Sequence, residues 1–118
     1  MGYDIYTAVA IQPEIKLVEK REDIMKNLKR VLELIDAAPQ VQPTAKEGYE
    51  GNWAPIKLIS LPEFFIQGHE GHWTYDHYIN EVLLSFDSEE MYLLAEKAKE
   101  HKVYIAGCIL ENDPDWID

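Results

Sequence analysis

Glu63 stands in the run Leu61-Pro62-Glu63-Phe64-Phe65, two residues beyond Ile56–Leu61, an apolar stretch that reads as a strand. In parallel sheets the carboxyl ends of strands are where sites are built. A carboxylate there, with Pro62 fixing the backbone before it and Phe64 and Phe65 after it, is expected in a partly apolar pocket. Burial of that kind raises a carboxyl pKa toward the working range of a general base. The alternative is a solvated loop glutamate. The lone thiol, Cys108, is either a nucleophile or a small buried apolar residue of a strand. His69, His72 and His77 with Glu70 and Asp76 invite a metal reading. However, His69-Glu70-Gly71-His72 is one residue short of the zinc-protease helix pattern, and Gly68 and Gly71 disfavour a helix. A loop lining a site entrance is the expectation, with no metal and no cofactor. Phe64, directly after Glu63, is the first candidate to touch a ligand there, and His69, Tyr75 and Trp73 are weaker candidates. For these aromatic groups plain packing is the competing reading.

Three strands and two helices must position these groups. Ile5–Ile11 is a short apolar and β-branched run, suited to a strand covered on both faces and ended by Gln12-Pro13. From Arg21 to Ala38, residues Ile24, Leu28, Val31, Leu32 and Ile35 form one helical stripe. Glu22 and Asp23 favour the positive end of its dipole, and Pro39 is expected to stop it. Pro39–Pro55 reads as a loop that wraps the surface. Phe64–Asp87 reads as a loop with a helical piece around Ile79, Val82, Leu83 and Phe86. Asp87–His101 is a helix with Met91, Leu94, Ala95 and Ala98 on its apolar side; Asp87 and Glu90 are placed to form a capping box. Val103–Leu110 is the third strand, and Glu111–Asp118 a polar tail. The order β-α-β-α-β implies parallel pairing through right-handed crossovers, hence an α/β fold.

Composition narrows the partners. The 118 residues suit one compact domain, and 11 basic against 22 acidic side chains give a net charge of −11. That charge repels phosphate backbones and anionic membrane surfaces, so neither nucleic acid nor membrane is an expected partner. No apolar stretch approaches the length of a membrane span. One cysteine allows no internal disulfide and no cysteine-based zinc site, which fits a reducing cytoplasm. The start Met1-Gly2-Tyr3-Asp4 lacks the pattern of a signal peptide, and Tyr6 stands where myristoylation wants a small hydroxyl residue.

The chain resembles the amino-terminal part of the nitrilase superfamily, the carbon-nitrogen hydrolases. The matching residues are Thr7–Gln12, Asn27-Leu28, Ile59–Gly68, Leu94-Ala95, Val103–Gly107 and Glu111, in order and at suitable spacing. The Pro-Glu-aromatic segment followed by Gly68 is the specific part. The resemblance implies that residues 1–118 open a single, incomplete domain of an α-β-β-α sandwich. It also implies a homo-oligomer for the complete protein. The implied chemistry is hydrolysis of a linear amide or a nitrile by glutamate, lysine and cysteine, in which Glu63 matches the glutamate. The family's lysine and cysteine motifs lie farther along than this sequence reaches. Cys108 lacks the nucleophile's surroundings, so the buried-strand reading is preferred for it. The competing class is a catalytically incomplete α/β module, or one half of a split enzyme that needs a partner chain.

Overall fold

The computed structural model of the chain describes residues 5–41, 54–69 and 72–116. The expected loop over Pro39–Pro55 and the acidic side chain of Glu70 therefore fall largely outside the described residues. Strand β1 is Thr7–Ala10, helix α1 Arg21–Ala37, strand β2 Ile56–Glu63, the single turn α2 Tyr75–His77, helix α3 Glu89–His101 and strand β3 Tyr104–Cys108. Pro39 does not end helicity at once. Ala38–Val41 continues as a 3₁₀ turn, a tighter winding common at helix ends.

The sheet is parallel, in the order β1-β2-β3. Val9 pairs with Ile59 and Ile59 with Ile105, so these three apolar side chains form a row on one face. Both long helices cover that face. Ile24, Leu28, Val31 and Ile35 of α1 are fully buried and join Ile59, Leu61 and Leu94 in one core. The opposite face is open, with Ala8, Ala10, Ser60, Ala106 and Tyr104 all exposed. The second of the two covers expected for β1 is not among the described residues. A nearly continuous apolar run fits either one or two covers, and within the described residues only the helical cover is present.

Two further differences concern helix ends. Asp87 does not cap α3. The helix begins one residue later, with Ser88 at its N-cap, and Asp87 is exposed in the preceding turn. At α1, Asp23 does more than favour the dipole. Its Oδ2 accepts hydrogen bonds from the backbone N–H groups of Glu19 and Lys20, both 3.0 Å, and fixes the entry to the helix. The helical piece expected near Ile79 runs from α2 into a wider π turn, Tyr78–Val82. Val82 is buried there, whereas Phe86 is 76% exposed and lies beyond it.

Candidate active site

Glu63 is the last residue of β2, at the carboxyl end of the central strand. Its register partner on β3 is Cys108, and the N–H of Phe64 donates to the Cys108 carbonyl at 2.9 Å. The chain then turns sharply. Phe64 takes the left-handed conformation at φ 50°, unusual for a residue with a bulky side chain. The N–H groups of Gln67 and Gly68 close the turn on the Phe64 carbonyl at 3.2 and 2.8 Å. Gly68 has φ 71°, which glycine adopts without strain.

This turn separates the two phenylalanines. Phe65 points into the core, 3% exposed, and meets Gly107. Phe64 is half-buried beside the site, and the His69 ring stacks on it with centroids 6.0 Å apart and planes 26° from parallel. Glu63 itself is exposed. The apolar pocket expected around it is thus not supplied by its neighbours in sequence, because Phe65 is spent on the core.

The other candidates are placed unevenly. Tyr75 is 72% exposed at the start of α2, and no hydrogen bond or ring contact joins its side chain to Glu63, Phe64 or His69. Trp73 serves the framework: its Nε1 donates to the Val18 carbonyl at 3.2 Å, and its ring packs against Tyr78. His77 lies edge-on to Trp73, with Nε2 2.6 Å from the Glu19 carbonyl. Among the described residues, the ligand-like grouping is elsewhere, at Asp36, Glu100 and His101. The Lys97 ammonium already sits in it, 2.8 Å from Asp36 and 3.2 Å from Glu100. Cys108 is exposed, alternating with Tyr104 and Ala106 onto the open face, not buried as the strand reading had it.

Two residues of this region escaped notice in the sequence as anything more than matched positions. Asn27 and Gln67 are polar and buried, at 4% and 0% exposure, and both hold the turn after Glu63. Asn27 offered a signal, since it falls inside the apolar stripe of α1, where a polar side chain must find partners. Gln67 offered none.

With this geometry in view, the family profile described as carbon-nitrogen hydrolase matches residues 7–117. A formamidase of Bacillus cereus strain Q1 is 32% identical over 111 residues. A formamidase of Bacillus anthracis is 32% identical over a segment of the same length. Each match covers 93% of this chain but 29% of the relative's own length.

Proposed function

Given that this chain belongs to the carbon-nitrogen hydrolase family, we propose that it forms the opening part of an amidase-type enzyme cleaving a non-peptide C–N bond, with Glu63 as general base. The carrying observation is the position of Glu63, at the carboxyl end of the central parallel strand and fixed from behind by a hydrogen-bonded turn. A small linear amide is the substrate class we favour over a nitrile. Relatives named formamidase make formamide the first compound to assay.

In this reading Glu63 removes the proton of a cysteine thiol, and the thiolate attacks the amide carbon. A lysine ammonium stabilises the charge on the attacked group. The proton passes to the leaving nitrogen, ammonia departs, and a thioester remains. Water activated by Glu63 then cleaves the thioester, releasing the acid and restoring the thiol. The thiol and ammonium come from sequence other than these 118 residues. Cys108 is adjacent to Glu63 in register, but no lysine pairs with either group among the described contacts. Phe64 and His69 form one wall of the substrate site, with Tyr75 farther out at its entrance.

Glu63→Gln in the complete polypeptide is the test, read as ammonia release from formamide. Loss of a positioned general base is expected to lower kcat by about 10²–10⁴-fold. Unchanged turnover ends the proposal.

A further inference from the structure

Asn27 and Gln67 are wired alike. The Asn27 Oδ1 accepts from the Lys16 N–H at 3.0 Å, while Nδ2 donates to the Lys16 carbonyl at 2.9 Å and the Ile66 carbonyl at 3.0 Å. The Gln67 Oε1 accepts from the Leu110 N–H at 2.6 Å, while Nε2 donates to the Leu110 carbonyl at 2.8 Å and the Val82 carbonyl at 2.6 Å. Each amide pairs with both backbone groups of one residue, as a neighbouring strand would, and gives its remaining N–H to another segment. Both donors face carbonyls and both acceptors face an N–H, so each amide has one satisfactory orientation. The two act on consecutive residues, Ile66 and Gln67, of the turn that follows Glu63. Through them the turn is tied to Lys16, to α1, to the end of the π turn and to the residues after β3.

A five-residue turn does not need four anchors merely to reverse direction. This turn starts from a non-glycine left-handed residue, Phe64, and such a conformation persists where its surroundings over-determine it. Phe64 is bonded directly to Glu63, so any relaxation of the turn swings the carboxylate. We propose that Asn27 and Gln67 are positioning residues that set the direction of the Glu63 carboxylate. The inference rests on the assignment of Glu63 as the general base. Misplacing a reacting group by about 1 Å can cost about 100-fold in rate.

The test uses the complete enzyme and formamide. Gln67→Met keeps the volume and removes all three hydrogen bonds. In protein shown by its melt to be folded at the assay temperature, kcat is expected to fall 10- to 100-fold with KM within about threefold, because the base and not the substrate is displaced. The acid limb of the kcat/KM profile is expected to shift as the carboxylate's surroundings change. A purely structural role would lower the melting temperature and leave both readouts at wild-type values, which overturns the inference. If Gln67→Met does not fold, Gln67→Glu gives a second reading. An ionised carboxylate there donates to neither carbonyl, whereas the protonated acid donates to one. The ratio of its kcat to that of wild type, taken at the same pH, is expected to rise as pH falls and the introduced carboxylate protonates; a ratio unchanged with pH overturns the inference. Glu63→Gln separates the two failures. If it abolishes turnover while the Gln67 variants behave as wild type, the positioning role alone is wrong. If it leaves turnover intact, the general-base assignment fails and the inference with it.

Discussion

Residue identity at the turn has consequences that can be measured one side chain at a time. Gly107 is the tightest case. A Cβ built there would lie 2.7 Å from Cε1 and 3.0 Å from Cδ1 of Phe65, a ring held in the core. The Phe65 ring must shift to admit the added methyl, so Gly107→Ala is expected to cost about 1–3 kcal/mol, read by denaturant unfolding of the complete protein. Cys108 gives a sharper test of chemistry. It is exposed beside Glu63, yet its strand, Tyr104–Cys108, carries no lysine or arginine to stabilise charge in acyl transfer. Cys108→Ser is therefore expected to keep formamide turnover within about twofold of wild type in the complete protein; loss comparable to Glu63→Gln would make it the nucleophile. The place of Glu63 at the carboxyl end of a strand was legible in the sequence, because an apolar run leads up to it. Its exposure was not. Neighbouring phenylalanines suggest a pocket, and only the left-handed turn at Phe64 reveals that one of them faces away.

Helices and strands are legible in the sequence where one face is apolar. The α1 stripe has a plain 3.6-residue period, and four of its five members are fully buried. Strand β3 was harder. In Val-Tyr-Ile-Ala-Gly-Cys-Ile-Leu nearly every residue is apolar, so the sequence does not say which alternate set is covered. Only the helices packing on a single face decide that Ile105 is inside and Cys108 outside. Ionic contacts between helices were invisible for a different reason: Arg21 and Glu90 are 69 residues apart. The Arg21 guanidinium grips Glu90 with two hydrogen bonds, 2.7 and 3.0 Å, and its backbone N–H donates to Glu81 at 2.7 Å. Burial pushes the Glu90 carboxyl up, but the Arg21 hydrogen bonds and its own backbone N–H together hold it below its ordinary 4.5. A depressed folded-state pKa contributes stability above the unfolded value and loses it as pH falls through the folded one. Stability is thus expected to drop on acidification below about pH 4.5, and Glu90→Gln should flatten that part of the melting-temperature profile. Because Arg21 is 36% exposed, the loss on Glu90→Gln at neutral pH is expected near 1–2 kcal/mol, below the fully buried range.

For the molecule as a whole, the unpaired face matters most. Ala8, Ala10, Ser60 and Ala106 make a strip of small exposed side chains, with Tyr104 81% exposed beside them. On the helix side a hollow of about 270 Å³ lies between α3 and β3, walled by Leu61, Phe65, Leu94 and Ile105. Flat apolar sheet surfaces and free strand edges pair with whatever presents itself. The 118-residue chain on its own is expected to self-associate, seen as concentration-dependent sedimentation. Tyr104→Lys should reduce that association, and a sharp melt of a monomeric wild-type chain would contradict it. No helix of the described residues is long and apolar enough to cross a membrane.

The parallel order of the strands also sets a timetable. Thr7 pairs with Ile56 and Leu58 with Tyr104, so each rung of the sheet closes a loop of about 45–50 residues. Closing a loop of that length carries an entropy cost of about 3 kcal/mol, on the (3/2)RT ln n scale, before any contact repays it. Helices α1 and α3 need only neighbours a turn away and can form on the microsecond scale, ahead of the sheet. The direction of Glu63 depends on the β2–β3 rungs and on a Gln67–Leu110 link across 43 residues. The Glu63 carboxylate is therefore among the last features to be set as the chain folds, and in the complete protein refolding followed by formamide turnover is expected to lag refolding followed by helix signal.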